Sequence, residues 1–323
     1  MRRDDTITRL IVMTLLCLAG CASTGVAASS RTAGSEATAG EPAYSRKGAD
    51  TCLKCHDEDY AYPILPIFGS KHARMEDSRT PFAQAQCESC HGPGGDHAKL
   101  IMPGESRPPM INFGPNASTP KEKQNAMCLQ CHTGKSRTRW HGSTHDNAGL
   151  RCADCHRAHA GKGPMLVRAE QPEVCYRCHK RQRAQTHSAS VHPIRYGKMA
   201  CSECHNVHGG TANNPLVKPT LNETCYTCHP EKRGPFLWEH APVVENCTLC
   251  HRPHGSNHAA LLNKKTPFLC QQCHSQAGHP AVAYNSAGLP PGGASRALLA
   301  EGCLNCHSQV HGSNHPSGVK LMR

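Results

Sequence analysis

The chain has 323 residues, of which 37% are hydrophobic and only 4% aromatic, with 28 glycines and 24 prolines spread through it. That composition excludes an ordinary packed core built from the polypeptide alone. The net charge of +12 would suit a nucleic-acid binder, but the 22 cysteines point to a cofactor whose own charge this surplus offsets.

The chain opens like an export signal. Arg2, Arg3 and Arg9 form a positive head, and the apolar run Leu10 to Ala19 follows. The run is shorter than the about 20 residues needed to span a bilayer. Leu18-Ala19-Gly20-Cys21 has the form of a lipoprotein signal, so residues 1–20 are expected to be removed and Cys21 acylated. The alternative is an ordinary signal peptide cut near Ala27 or Ala28. Arg2-Arg3 is also compatible with twin-arginine export, but haem is attached to an unfolded chain after translocation, which favours the general route. Ala22 after the cysteine fits sorting to the outer membrane. Residues 21–48, rich in Ala, Ser, Thr and Gly, read as a flexible tether. No later stretch is apolar enough to cross a membrane, so residues 49–323 are expected to form a water-soluble domain.

From Cys52 onward the pattern Cys-x-x-Cys-His occurs ten times. It takes the pairs Cys52/Cys55, Cys87/Cys90, Cys128/Cys131, Cys152/Cys155, Cys175/Cys178, Cys201/Cys204, Cys225/Cys228, Cys247/Cys250, Cys270/Cys273 and Cys303/Cys306. The adjoining histidines are His56, His91, His132, His156, His179, His205, His229, His251, His274 and His307. This is the attachment motif of c-type haem: two thiols add to the porphyrin vinyl groups and the histidine binds iron from the proximal side. Zinc also uses Cys-x-x-Cys pairs, but it does not require a histidine directly after the second cysteine. The motifs absorb 20 of the 22 cysteines, leaving only Cys17 and Cys21. The body of the chain therefore keeps no pair for a disulfide, and covalent haems replace that framework.

Ten haems change how composition and charge are read. Each brings a rigid apolar disc, so the expected fold is a multihaem cytochrome c: mainly coil with short α-helices, almost no sheet, and an elongated array with the haems as core. Loss of residues 1–20 removes three positive and two negative charges, leaving +11. Haem propionates then contribute about −10 when the irons are oxidised and about −20 when they are reduced. The positive surplus is their counterweight, and a nucleic-acid function is excluded.

The remaining histidines repeat as well. Motifs at Cys152, Cys201 and Cys247 are followed three residues after their own histidine by His159, His208 and His254. His311 and His97 follow the motifs at Cys303 and Cys87 more loosely. The motifs at Cys52, Cys128, Cys175, Cys225 and Cys270 have no such follower; a lone histidine, His72, His145, His192, His240 or His279, lies before the next motif. The chain thus divides into five two-haem units starting near residues 52, 128, 175, 225 and 270. The first and last units separate their motifs by 35 and 33 residues, the middle three by 22 to 26. Two additional histidines per unit supply ten distal ligands, one for each iron. His141, His187, His258 and His315 are left over as surface residues. Histidines three apart share one helix face, whereas ligands to one iron approach from opposite faces. A follower is therefore expected to serve a neighbouring haem.

Iron with two histidines has no open site, so these centres suit electron transfer rather than catalysis, and at low potential. A multihaem oxidoreductase would need one open iron, and a cytochrome filament would borrow a histidine between subunits. The chain is therefore expected to be an electron carrier, with no catalytic residue.

Residues 52–323 resemble the decahaem cytochromes of the MtrA/DmsE type, the cytochrome partners in porin–cytochrome conduits. The resemblance is carried by the ten motifs and by three segments: Glu231-Lys-Arg-Gly-Pro-Phe-Leu-Trp-Glu-His-Ala-Pro242, Leu269-Cys-Gln-Gln-Cys-His274, and the stretch from Cys303 to Gly318. It implies bis-histidine ligation with distal ligands His72, His97, His145, His159, His192, His208, His240, His254, His279 and His311. It further implies a periplasmic protein embedded in an outer-membrane β-barrel. Its partners would be periplasmic electron-donor cytochromes and an outer-surface multihaem cytochrome, reductase or mineral. The direction of flow, outward to metal oxide or sulfoxide or inward from Fe(II), is left open. The lipoprotein signal departs from relatives that look freely soluble.

Overall fold

The computed structural model of the chain describes residues 43–210, 215–274, 302–316 and 318–322. The leader, Cys21, the tether up to residue 42 and His279 lie outside the described residues. Nine short α-helices occur within them: α1 (Ala49–Cys52), α2 (Glu88–His91), α3 (Lys121–Leu129), α4 (Thr144–Asn147), α5 (Cys152–Cys155), α6 (Gln171–Tyr176), α7 (Lys180–Gln185), α8 (Leu221–Tyr226) and α9 (Ala241–Glu245). The longest, α3, has nine residues. Helices this short are marginal alone, so tertiary contacts and local caps must hold them. Ser143 accepts from Asp146 N at the start of α4, and Thr220 accepts from Glu223 N at the start of α8. Pairing between extended segments is limited to isolated bridges such as His205 with Leu216 and Trp238 with Ser313, so the described residues contain no sheet. No described helix is long and apolar enough to cross a membrane.

Buried apolar side chains are few: Ala49, Phe82, Trp140, Tyr176 and Ala200. Buried polar ones outnumber them and include Glu88, Gln124, Asn125, Gln171 and Asn222. Each has a structural task, because an unpartnered buried polar group is costly. Glu88 accepts from Ser45 N (2.9 Å), Ser45 Oγ (2.7 Å) and Gly94 N (2.6 Å), tying the chain start to the second motif. Gln124 cradles the preceding loop through Gly114 N and Thr119 O.

The units meet through a repeated contact. The glycine after the follower histidine (Gly209, Gly255, Gly312) has φ of +118°, +144° and +135°, and a Cβ there would run into Arg139, Gln185 and Phe236 respectively. Both the backbone region and the close approach demand glycine. Beside two of these glycines, the residue two before a lone histidine bridges the residue two after the next follower, Ser190 with Ser256 and Trp238 with Ser313. Ala160 stands at this position after His159, where the second unit meets the irregular first one.

Candidate haem-binding sites

Every motif closes in the same way. The histidine N–H donates to the carbonyl of the first cysteine, at 2.8–3.0 Å in all ten cases from His56 with Cys52 to His307 with Cys303. One α-turn therefore places each motif histidine over its first cysteine. In the first four units, α1, α3, α6 and α8 carry the upstream motif at their C-terminal end. The downstream motifs sit on single turns such as α2, α5 and the 3-10 turn Cys201–Glu203.

The imidazoles meet in pairs. Ring centroids lie 6.5 Å apart for His56 and His97, 5.9 Å for His72 and His132, and 5.9 Å for His91 and His159. They lie 6.1 Å apart for His145 and His179, 6.1 Å for His156 and His208, and 6.4 Å for His192 and His229. The separations are 5.9 Å for His205 and His254, 6.1 Å for His240 and His274, and 6.1 Å for His251 and His311. Two metal–imidazole bonds of about 2.0 Å each, extended to the ring centres, place trans imidazoles about 6 Å apart. Each of these pairs joins one motif histidine to one histidine outside the motifs. Of the motif histidines only His307 is outside these nine pairs, and of the distal candidates only His279, which is not described.

The pairing obeys a rule that spacing alone did not reveal. A lone histidine reaches forward to the upstream motif of the next unit, as His145 does to His179. A follower reaches back to the downstream motif of the previous unit, as His208 does to His156. Each junction is crossed once in each direction. Between residue 1 and Cys52 the sequence carries no further motif, and His97 faces His56 within its own unit. That explains the longer reach from His91 to His97. Follower pairs are close to coplanar, at 12–36° between rings. Pairs made by lone histidines span 30–75°.

Second partners fix the tautomers. Nδ1 of His91 donates to Ile111 O (2.7 Å), His97 to Pro108 O (2.7 Å), His205 to Pro215 O (3.3 Å), His251 to Ala260 O (2.8 Å) and His307 to Lys320 O (2.6 Å). His145 donates to Val207 O (3.0 Å), His192 to Pro253 O (2.8 Å) and His240 to Val310 O (2.9 Å). A carbonyl only accepts, so Nδ1 carries the proton and Nε2 keeps its lone pair for a metal. Burial also depresses His91, His132, His156, His159, His205, His208, His254 and His311 below the usual imidazole value, which favours the neutral, ligating form. Val207, Pro253 and Val310 directly precede the followers His208, His254 and His311, so the two ligands crossing a junction are joined through one peptide.

The motifs also follow one another in file. Within units, the first cysteines lie beside one another: Cys52 by Cys87, Cys128 by Cys152, Cys175 by Cys201, Cys225 by Cys247 and Cys270 by Cys303. That contact pushes the Cys52, Cys128 and Cys175 thiols up and draws Cys87 and Cys201 down to about 7. Between units the second cysteines are near enough to act on one another electrostatically. Burial raises Cys90, Cys204 and Cys250, and Cys131, Cys228 and Cys273 add to the effect. Cys155 likewise lies beside Cys178.

Sequence reasoning missed the side chains that clamp the motifs together. Asn125 Oδ1 accepts from Cys152 N (2.9 Å), Gln171 Oε1 from Ser202 N (3.0 Å) and Asn222 Oδ1 from Cys247 N (2.9 Å). In the first unit Gln86 Oε1 accepts from Ala49 N (2.5 Å). An amide three or four residues before Cys128, Cys175 and Cys225 was the available signal.

The donor set suits haem. One continuous cavity of about 4760 Å³ is lined by all ten motif histidines, by the nine described distal ones and by 18 of the 20 motif cysteines. Ordinary ligand pockets run to about 300–1,000 Å³, so the space matches several to about fifteen small-molecule sites. Of the six exposed motif cysteines, Cys131, Cys178, Cys273 and Cys306 line this cavity and Cys55 and Cys228 do not.

Buried donors without partners line the cavity as well, namely Arg137 Nε, Trp140 Nε1 and Arg151 Nε, as an anionic macrocycle would require. No group of three or more His, Cys, Asp or Glu residues converges as a metal cluster among the described residues. Of the leftover histidines, His141 lines the cavity with an 80% exposed side chain; His187, His258 and His315 do not line it.

Fold and donors together define a multihaem c-type cytochrome. The comparisons agree. A model of the doubled CXXCH motif matches residues 80–137, 141–184, 192–234 and 240–279, together more than half of the chain, and one of cytochrome c554 and c-prime matches residues 21–92. The multiheme cytochrome MtrA of Shewanella baltica (strain OS185) is 48% identical over 282 residues, covering 87% of this chain and 83% of that protein. The C-type polyheme cytochrome OmcB of Geobacter sulfurreducens (strain ATCC 51573 / DSM 12127 / PCA) is 24% identical over 201 residues, 44% of this chain and 27% of OmcB. The chain belongs to the MtrA family of multihaem cytochromes, and it is an electron carrier rather than an enzyme. The doubled-motif segments group the second motif of one unit with the first of the next, so three of them contain a complete imidazole pair: His145–His179, His192–His229 and His240–His274.

Proposed function

We propose that the chain carries ten c-type haems, each bonded to one Cys-x-x-Cys pair and held axially by its motif histidine and one distal histidine. The pairs would be the nine above, with His279 serving His307. When bound, the haems supply one-electron Fe(III)/Fe(II) exchange. The chain's part is to close both axial positions, keep ligand exchange and water away from the irons, and fix the spacing between neighbours. The observation that carries this reading is the set of nine imidazole pairs at 5.9–6.5 Å.

The relay runs between the periplasm and the outer surface, inside an outer-membrane β-barrel, for extracellular respiration on metal oxide or sulfoxide or for Fe(II) oxidation. Periplasmic cytochromes stand at one end and an outer-surface cytochrome, reductase or mineral at the other. Acylated Cys21 and the tether to residue 48 anchor it to the outer membrane. Similarity to the multiheme cytochrome MtrA supports this assignment, and single-file motif order suits a conduit that must be insulated over a hydrocarbon thickness of about 30 Å. Two measurements test it. The haem content should be ten, and the reduced protein should bind no CO; a stoichiometric high-spin haem would refute the closed relay. A co-purifying barrel should support electron transfer across a liposome wall, and equal transfer by the cytochrome alone would refute the conduit.

A further inference from the structure

One turn in the second unit carries donors that neither motifs nor clamps use. The 3-10 turn Lys135–Arg137 leads into Trp140, whose backbone N–H donates to Arg137 O at 2.9 Å. Asn206 Nδ2 donates to Ser136 O (3.4 Å) and Arg139 Nη1 to Gly210 O (3.0 Å), so the turn is tied to the loop bearing His208. Trp140 is 7% exposed and packs edge-on to the His208 ring at 6.1 Å. Its indole N–H has no partner, nor has Arg137 Nε, and both residues line the cavity. Other arginines pair with carboxylates: Arg79 with Asp77, Arg151 with Asp154, Arg168 with Glu203. Among the described residues none pairs with Arg137.

Both donors, one of them cationic, are shielded from water and line the cavity three residues apart, with Trp140 against His208, whose ring faces His156. The guanidinium is half-buried, and an inward Nε without a partner is completed by an anion, whose carboxylate form its planar fork matches. We propose that Arg137 and Trp140 form a carboxylate-binding corner for a propionate of the haem bonded to Cys152 and Cys155, and that the guanidinium raises this haem's potential above that of its neighbours. The inference rests on the bis-histidine reading of His156 and His208. A fixed positive charge disfavours the more positive oxidised iron, so removing it lowers the potential. The wire would then contain an early electron-holding step rather than ten equal centres.

The test is spectroelectrochemical titration of the ten-haem protein. Arg137→Gln should move about one tenth of the reducible amplitude downward by a tenfold change in the reduced-to-oxidised ratio, 59 mV for one electron. Trp140→Phe should move the same fraction by less. Arg183→Gln, at an exposed residue paired with Glu173 and outside the cavity lining, should move nothing. A fully loaded, low-spin Arg137→Gln protein with an unchanged curve overturns the corner, as does an equal shift in Arg183→Gln. If Arg137→Gln fails to mature, Arg137→Lys keeps the charge but loses the inward Nε donor. It should shift part of the way, and a wild-type curve overturns the proposal. A wild-type protein with a high-spin haem would instead overturn the bis-histidine reading.

Discussion

Replacing Asn222 by alanine should loosen one two-haem unit while leaving every ligand in place. Asn222 is 9% exposed. Its Oδ1 accepts from Cys247 N at 2.9 Å, and its Nδ2 donates to Val243 O and Val244 O at 3.0 Å each. A hydrogen bond contributes about 0.5–1.5 kcal/mol net, and a buried donor left without a partner costs about 1–3 kcal/mol. The two carbonyls are half-open to water, so most of the loss falls on the Cys247 N–H. We expect about 2 kcal/mol, which corresponds to about a 30-fold rise in the population of the open state. Native-state hydrogen exchange on the holoprotein reads this directly at the Cys247 amide. Asn222→Asp keeps the acceptor but sets a carboxylate against two carbonyls, so it should protect Cys247 while loosening the end of α9. Exchange at Cys247 in the alanine variant within about threefold of wild type would refute the clamp.

His208→Ala should create one CO-binding, high-spin haem, and peptide mapping should place it on Cys152 and Cys155 rather than on the adjacent Cys201 motif; the reverse would contradict backward ligation. Gly255→Ala should destabilise the junction by about 1–3 kcal/mol, read as a lower thermal midpoint, whereas an unchanged midpoint would mean that the contact with Gln185 is soft. The buried histidines give a pH dependence with a definite sign. Their folded values are depressed, so the unfolded chain protonates first, at about 6.5. The stabilisation is full above that value and is lost as pH falls through the folded values; low-spin bands should fade on acidification and persist to pH 9, and loss on alkalinisation alone would oppose this. The ligand planes cross at 75° and 69° for His72–His132 and His145–His179 but at 14° and 12° for His156–His208 and His251–His311. Because that angle sets the splitting of the iron dπ orbitals, the oxidised protein should show two classes of low-spin electron paramagnetic resonance signal rather than one.

Motif spacing made the haem attachment points legible, since it is fixed by covalent chemistry within five residues. The two kinds of motif were legible too, because followers such as His159 recur at one offset. Which imidazole faces which was not legible. His72 and His132 are 60 residues apart, and their meeting depends on how units stack. Helix starts were equally obscure, since Gln124 and Asn125 look like surface residues and are buried only by the loops they hold. Trp140 gave no signal because the ring it packs against, His208, is 68 residues away.

The two-way crossing at each junction also makes the chain extensible by copying. Removing residues 175–224 would leave His145 facing the Cys225 motif and His254 facing the Cys152 motif, so a shortened chain of eight haems would keep its donors matched to its irons. A cut at residue 224 gives a different result. Each fragment would be left with one five-coordinate iron and one spare imidazole. His97 shows how a terminus deals with that surplus, by turning its donor back onto His56. On the proposed ligation, chain length is a free variable in such proteins, and only the two end units need special sequence.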